Sequence, residues 1–223
     1  MKFFLDTASI EQIKKWKKIN VVDGVTTNPS LLSKEGLDPI NQLKEICKFV
    51  KGPVSAQVTE TKAERMIKQG NQLKKISNNI IIKLPATLEG LAAAKVLTKQ
   101  KIKTNITLGF HPSQIIPFAK LNVTYFSLIV GRTEDWGFSN IVSISETKKI
   151  INNLNSKTKL LVASIRNSVH LKEAVINGAD VITVPPKTWA EIYKNKYTLM
   201  GESDFHKSWS SLSKELRRKY EII

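Results

Sequence analysis

A lysine stands inside one of the most apolar stretches of the chain. Lys83 follows three consecutive isoleucines and precedes a Leu-Pro pair. Burial disfavours the charged form of an amine and lowers its pKa, which leaves a nucleophile able to attack a carbonyl carbon and form a Schiff base. The alternative is a lysine whose ammonium group reaches solvent from the end of a strand. Lys83 is therefore the first candidate for covalent chemistry.

An aspartate follows the hydrophobic stretch near the N-terminus. Asp6 comes directly after Phe3, Phe4 and Leu5. A carboxylate in that place could act as a general base, and it could equally cap the first turn of the following helix. The sequence leaves both roles open.

Polar side chains also follow the other apolar stretches. Asn105 and Thr107 are two residues apart, so on a strand they point to the same side, where they could hold sugar hydroxyls or order a barrel interior. Arg132 and Arg166 are two of only five arginines, and guanidinium groups suit phosphate oxygens, although surface ion pairs are an equally good explanation. The remaining polar residues at strand ends include Thr26, Asn28, Gln57, Ser127, Ser164 and Thr183.

The segments that must position these residues alternate between short apolar strands and helical patterns. This alternation indicates a parallel sheet covered by helices. Eight strands in 223 residues leave about 28 residues per unit, near the minimum for a βα repeat, and eight such units close a barrel. The predicted strands are Lys2–Leu5, Gly24–Thr26, Pro53–Val58, Ile80–Leu84, Thr104–Leu108, Tyr125–Val130, Leu160–Ser164 and Val181–Val184.

We therefore predict an α/β fold, a single (β/α)8 TIM barrel domain over residues 1–223, with residues 204–220 as an extra C-terminal helix. In such barrels the chemistry lies at the C-terminal ends of the strands, so the candidate residues should converge on one mouth. Apolar side chains recur at helical spacing in the terminal segment, and this stripe needs another surface to cover it. They are Phe205, Trp209, Leu212, Leu216 and Tyr220.

The composition is that of a globular chain with a strong positive charge. The formal net charge is +16, but thirty of the 35 basic residues are lysines scattered along the sequence. Nucleic-acid binders usually concentrate charge, use arginine heavily and interleave aromatics, so a solvated lysine surface is the simpler explanation.

The sequence also lacks an apolar run of about 20 residues and a signal peptide pattern, and its one cysteine excludes an internal disulfide. We expect a cytoplasmic protein without a membrane or nucleic-acid partner. The three histidines are far apart, so no metal site is expected.

Several longer motifs resemble the transaldolase family, in the order and spacing typical of its small subfamily, which includes transaldolases and fructose-6-phosphate aldolases. These motifs are distributed between residues 3 and 185. The matching segments are Phe4–Ala8 (FLDTA), Gly24–Leu32 (GVTTNPSLL), Ile82–Thr87 (IKLPAT), Thr104–Leu108 (TNITL), Gly131–Arg132 (GR), Val162–Asn167 (VASIRN) and Gly178–Pro185 (GADVITVP).

The resemblance implies a mechanism without a cofactor, in which Lys83 forms a Schiff base with fructose 6-phosphate or sedoheptulose 7-phosphate. It implies that Asp6 takes the proton of the C4 hydroxyl and that Thr107 and Gln57 orient the water of imine formation. A dihydroxyacetone unit would then pass to erythrose 4-phosphate or glyceraldehyde 3-phosphate, as in the non-oxidative pentose phosphate pathway. The implied substrate-binding residues are Thr26, Asn28, Asn105 and Ser127 for the dihydroxyacetone portion, and Arg132, Ser164 and Arg166 for phosphate.

Within the subfamily the motifs favour transaldolase over aldolase. Asn105, Ser127 and Arg166 resemble the transaldolases, whereas Gln57 resembles the aldolases, which release free dihydroxyacetone. Ile129 stands where the family usually has an aromatic residue. A basic nucleic-acid-binding barrel without enzymatic activity is the remote alternative. The resemblance also implies a homo-oligomer, a pentamer or decamer, with the terminal helix at a subunit interface.

Overall fold

The computed structural model describes residues 1–135 and 137–221, and within them the strands close into one barrel. Each strand is parallel to both neighbours, and the first strand pairs with the last, which confirms the predicted (β/α)8 TIM barrel. The strands are β1 Lys2–Asp6, β2 Gly24–Thr26, β3 Val54–Gln57, β4 Ile80–Pro85, β5 Thr104–Gly109, β6 Tyr125–Ile129, β7 Lys159–Ala163 and β8 Val181–Val184.

Helices follow the strands, and polar side chains cap several of them. Asn28, Thr87 and Asn167 each accept a hydrogen bond from a backbone N–H in the first turn, as N-cap residues do. The helices are α1 Ile10–Lys18, α2 Pro29–Lys34, α3 Pro39–Phe49, α4 Ala63–Lys74, α5 Leu88–Lys99, α6 Ile115–Lys120, α7 Gly131–Glu134, α8 Val142–Asn153, α9 Ser168–Ile176, α10 Pro186–Ile192, α11 Lys196–Ser211 and α12 Lys214–Glu221. None of the helices in these residues is long and apolar enough to cross a membrane.

The barrel interior changes from apolar to polar along the strand direction. Near the N-terminal ends of the strands, a buried cluster fills the barrel, and the Phe4 and Tyr125 rings meet edge to face at 5.8 Å. Strand side chains alternate with a period of two, so the residues two positions further along also point inward. Four of these five residues are polar, and the fifth is Ala163. Thus Asp6, Lys83 and Ser127 lie above Phe4, Ile81 and Tyr125 respectively. The apolar layer is Phe4, Ile81, Tyr125, Leu161 and Val181.

One glycine makes room for this apolar layer. A Cβ atom on Gly24 would lie 2.8 Å from the Phe4 ring and 2.6 Å from the Pro53 carbonyl oxygen. Because Gly24 has no side chain, the Phe4 ring can occupy the barrel interior. The ring there lies directly beneath the polar layer.

The chain separates into two compact units, Met1–Thr188 and the residues from Trp189 onward. The segment expected to form one terminal helix falls on α11 and α12, which are interrupted at Leu212 and Ser213. Leu212 is extended, and the Ser213 hydroxyl accepts a hydrogen bond from the Leu216 N–H, so a new helix begins there. Many apolar side chains of these two helices are exposed; they include Tyr197, Leu199, Met200, Phe205, Leu212, Leu216 and Tyr220.

The sequence missed two short helices near the barrel mouth. Helix α2 begins at Pro29, which suits the first helical position, directly after the Asn28 cap. Helix α7 has only four residues, too few for a periodic pattern.

Candidate active site

A cavity of about 310 Å³ opens at the C-terminal ends of the strands. Its size and mixed lining are typical of small-molecule sites. The lining residues are Asp6, Thr26, Asn28, Pro29, Ser30, Gln57, Lys83, Thr107, Leu108, Ser127, Ile129, Arg132, Ala163, Ser164 and Thr183. All the residues singled out from the sequence line this cavity except Asn105 and Arg166.

Lys83 extends into the barrel, with only 8% of the residue exposed. Its Nζ donates a hydrogen bond of 3.1 Å to the carbonyl oxygen of Thr27. Burial lowers the pKa of Lys83; the charge of Asp6 opposes that shift, and the positive charge of Arg132 adds to it. The ammonium group therefore does not reach solvent at a strand end, and its burial increases the share of the neutral amine.

Asp6 faces the same cavity, and its carboxylate accepts a hydrogen bond of 2.7 Å from the Thr26 hydroxyl. Burial raises the pKa of Asp6, while Lys83, the Thr26 hydroxyl and Arg132 act in the opposite direction. The helix-capping alternative does not hold, because Ser9 is the N-cap of α1. The cavity thus holds a carboxyl group with a raised pKa, Asp6, and an amine with a lowered pKa, Lys83.

A chain of hydroxyl groups supports this carboxylate. The Thr26 hydroxyl also lies 2.6 Å from the Thr183 hydroxyl. A hydroxyl has one proton, so when Thr26 donates to Asp6, Thr183 must donate to Thr26. Thr183 therefore donates to Thr26, and Thr26 donates to the ionised carboxylate of Asp6.

Asn105 lies beneath the cavity and is completely buried. Its Nδ2 donates to the Ser55 hydroxyl at 3.2 Å, and its Oδ1 accepts from the Ser127 hydroxyl at 2.7 Å. Asn105 therefore orients Ser127, which does line the cavity. Ser55, which no motif singled out, completes this network.

Gln57 and Thr107 flank Lys83 on the neighbouring strands. Gln57 is the register partner of Lys83 on β3, and Thr107 is the partner of Pro85 on β5. The strand pairing shifts after Ile106, and Leu108 adopts φ +62°. A left-handed conformation is rare for a bulky residue, and such strain clusters at functional sites. Sequence patterns carry no signal for it.

The two arginines occupy different environments. Arg132 lines the cavity, whereas the Arg166 guanidinium pairs with the Asp135 carboxylate at 2.9 Å, with about half of each side chain exposed. The stem of Arg166 lies over Gly131, where a Cβ atom would come within 2.5 Å of it. Ser164 reaches the cavity with φ +63°, again in the left-handed region.

Several cavity residues were not singled out from the sequence as binding residues. Pro29 and Ser30 begin helix α2, and Ile129 and Ala163 end their strands. The polar one among these missed residues, Ser30, lay within a recognisable motif, so the motif could have identified it.

The arrangement can support covalent chemistry on a carbonyl compound. A buried amine with a lowered pKa provides the nucleophile, a nearby carboxyl group can exchange a proton, and hydroxyl and amide groups line the space between them. Arg132 at the rim adds a positive charge suited to an anionic substituent.

Known proteins with similar sequences identify the family of this chain. The family model described as Transaldolase/Fructose-6-phosphate aldolase matches residues 3–220. The chain is similar to a protein named probable transaldolase from Thermodesulfovibrio yellowstonii, with 44% identity over 96% of this chain and 100% of that protein. Proteins of the same name from Methanococcus vannielii and Caulobacter vibrioides are 44% and 40% identical. The alignments cover 95% of this chain and 98% of the former protein, and 97% of this chain and 100% of the latter.

The family match spans nearly the whole barrel and includes the strands that carry Lys83 and Asp6. The chain therefore belongs to the transaldolase/fructose-6-phosphate aldolase family, as its motifs indicated.

Proposed function

We propose that this protein is a transaldolase that uses Lys83 as a Schiff-base nucleophile. It transfers a dihydroxyacetone unit from fructose 6-phosphate or sedoheptulose 7-phosphate to erythrose 4-phosphate or glyceraldehyde 3-phosphate. The observation that carries the proposal is the buried amine of Lys83 in a polar cavity that it shares with Asp6.

Imine formation begins with the neutral amine. The Nζ lone pair of Lys83 attacks the C2 carbonyl carbon of the ketose. One proton from solvent lets the carbinolamine hydroxyl leave as water, and an iminium ion remains. Gln57 and Thr107, which line the same cavity as Lys83, orient that water. The lowered pKa of Lys83 increases the fraction of amine able to react.

Cleavage then requires a base for the C4 hydroxyl. Asp6 takes that proton, the C3–C4 bond breaks, and its electron pair neutralises the iminium ion to give an enamine. The aldose phosphate leaves with a new carbonyl group. Addition of the enamine to the acceptor aldehyde reverses these steps, with Asp6 returning the proton, and water then releases the product from Lys83.

The remaining polar groups hold the substrate. Asn28 and Ser127 bind the hydroxyls of the dihydroxyacetone portion, with Asn105 orienting Ser127 and Thr26 lining the site. Arg132 and Ser164 bind the phosphate at the rim. Arg166 joins them by leaving its exposed ion pair with Asp135.

Fructose-6-phosphate aldolase is the second candidate, and Gln57 favours it. The aldolases resemble this chain at that cavity position, whereas Asn105, Ser127 and Arg166 resemble the transaldolases. A coupled assay with and without erythrose 4-phosphate separates the two activities. A transaldolase requires the acceptor for turnover, while an aldolase releases dihydroxyacetone without it.

The nucleophile is tested by reduction with borohydride in the presence of fructose 6-phosphate. Peptide mass mapping should find a dihydroxyacetone adduct on Lys83, and Lys83→Met should abolish turnover. Lys74→Met is a matched control, because burial also lowers the pKa of Lys74, but that amine contacts backbone carbonyls at the opposite end of β4. It should retain the adduct and the activity. An adduct elsewhere, or turnover by Lys83→Met, would overturn the assignment.

The wider setting follows from this activity. The proposed reaction belongs to the non-oxidative pentose phosphate pathway in the cytoplasm and needs no cofactor, membrane or nucleic acid. We also propose that the chain forms a homo-oligomer, a pentamer or decamer, through its exposed C-terminal helices. That residues 1–223 form one domain stays a prediction. That residues 204–220 lie at the subunit interface also stays a prediction.

A further inference from the structure

His170 has no part in the proposed reaction, yet it is one of the most buried polar residues described, with 1% exposed. It lies on helix α9, just after the segment that carries Arg166. Helix α7, which carries Arg132, faces its other side through Glu134. The histidine therefore stands between the two segments that bear the phosphate-binding arginines.

The two ring nitrogens contact one segment each. Nδ1 accepts a hydrogen bond of 3.3 Å from the backbone N–H of Arg166, so the proton of a neutral ring is on Nε2. Nε2 lies 2.7 Å from the Glu134 carboxylate. That contact lacks the alignment of a hydrogen bond, so it is a close contact between a ring nitrogen and a carboxylate oxygen. The ring thus links the two segments directly.

Among the described residues, helix α7 has only weak side-chain anchors apart from this contact. Arg132 and Glu134 are exposed, and the Thr133 hydroxyl bonds to Val130 within the same segment. The Gly131 N–H donates to the Ser164 carbonyl at 3.1 Å, which holds the start of the helix. The Asp135–Arg166 pair is half exposed, and exposed pairs contribute little. Among the described residues, the buried ring of His170 is therefore the side-chain contact that ties the helix carrying Arg132 to the segment carrying Arg166.

We propose that His170 is a positioning residue that sets the separation of the Arg132 and Arg166 segments and so fits the site to a phosphate group. This inference rests on the phosphate-binding role proposed above for the two arginines. Binding of a phosphate by two guanidinium groups depends on their mutual geometry, which a rigid supporting residue maintains. The phosphate does not take part in bond cleavage, so an error in that geometry should raise KM and leave kcat nearly unchanged.

Two substitutions of His170 separate its contacts. In His170→Asn the amide oxygen replaces Nδ1 and can still accept from the Arg166 N–H, but nothing reaches Glu134. In His170→Gln the longer amide replaces Nε2 and can still reach Glu134. Glu134→Ala removes the same contact from an exposed position, where the substitution does not disturb the core.

The expected result is a rise of about tenfold in KM for fructose 6-phosphate in His170→Asn and Glu134→Ala. A tenfold rise corresponds to the loss of about one well-placed contact between a guanidinium group and the phosphate. Their kcat should remain within about twofold of the wild type, and kcat/KM for unphosphorylated fructose should not change. His170→Gln keeps the contact with Glu134 but loses the hydrogen bond from the Arg166 N–H, so it should also raise KM, because the link between the two segments needs both contacts. The double variant His170→Asn/Glu134→Ala should lose no more than either single variant, since both remove one contact. Lys172→Gln, which breaks an exposed ion pair on the same helix, is the matched control and should behave as the wild type.

An unchanged KM in both His170→Asn and Glu134→Ala would overturn the inference, and so would an equal loss on fructose and fructose 6-phosphate. A thermal-shift titration with inorganic phosphate tests the same positioning without turnover. If the wild-type protein has no transaldolase activity, the proposed function fails. The phosphate affinities of the variants still decide whether His170 positions the arginines.

Discussion

Replacing Thr26 by valine tests how the site controls the ionisation of Asp6. The substitution keeps the volume of the side chain and removes the hydroxyl that donates to the Asp6 carboxylate at 2.7 Å. A hydrogen bond to a charged group contributes about 1.5–3 kcal/mol. Since 1.36 kcal/mol corresponds to a tenfold change, its loss should favour the protonated form of Asp6 by roughly ten- to hundredfold.

The direction follows from the forces on this carboxyl group. Burial raises the pKa of Asp6, and the Thr26 hydroxyl is one of the groups that oppose the rise. Its removal should therefore raise the pKa further and leave less of the base ionised at low pH. The acidic limb of the pH profile should move to higher pH in Thr26→Val, while the rate on the alkaline side stays close to that of the wild type.

The assay is kcat against pH with fructose 6-phosphate and erythrose 4-phosphate, both saturating. Once the Schiff base has formed, Lys83 no longer titrates as an amine, so the acidic limb of kcat reports Asp6. Thr183→Val is the matched control, because it leaves the Thr26–Asp6 hydrogen bond in place, and its limb should move less. If Thr26→Val lowered kcat equally at every pH, with its limb unmoved, Thr26 would act on the substrate and the reasoning would be refuted.

Three further predictions concern other parts of the site and the chain. Arg132→Ala and Arg166→Ala should each raise KM for phosphorylated sugars, with a loss of ~2–4 kcal/mol in transition-state binding, and should change the activity on unphosphorylated fructose far less. Equal losses on both substrates would indicate a structural role. Asn105→Ala should lower the free energy of unfolding in urea by about 1–3 kcal/mol, because two buried hydroxyls lose their partner; an unchanged midpoint would show that the network contributes nothing. Phe205→Lys should dissociate the proposed oligomer in sedimentation velocity, since this exposed ring lies on the terminal apolar stripe. A wild-type chain that sediments as a monomer at micromolar concentrations would rule that assembly out.

The sequence alone determined the barrel and the strand that carries the amine. Parallel strands that are buried on both faces are mostly apolar. Their positions and their alternation with helices can therefore be recognised in the sequence. The same property made Lys83 conspicuous, because a charged residue type among isoleucines and leucine has few explanations. The short helix α7 had no such signal, since its four residues are fewer than the period of a helical pattern needs.

The tertiary structure decided what each polar side chain contacts. Asp6 could have capped a helix, and only the closure of β1 against β2 brought the Thr26 hydroxyl to its carboxylate. Local sequence likewise did not distinguish Arg132, which lines the cavity, from Arg166, which pairs with Asp135.

The same holds for Asn105 and His170. The amide of Asn105 meets hydroxyls from two other strands, and the ring of His170 meets a carboxylate from another helix. Strand and helix positions depend on local periodicity, which the sequence carries directly. Side-chain partners depend on contacts between residues far apart in the chain, and these exist only once the barrel has closed.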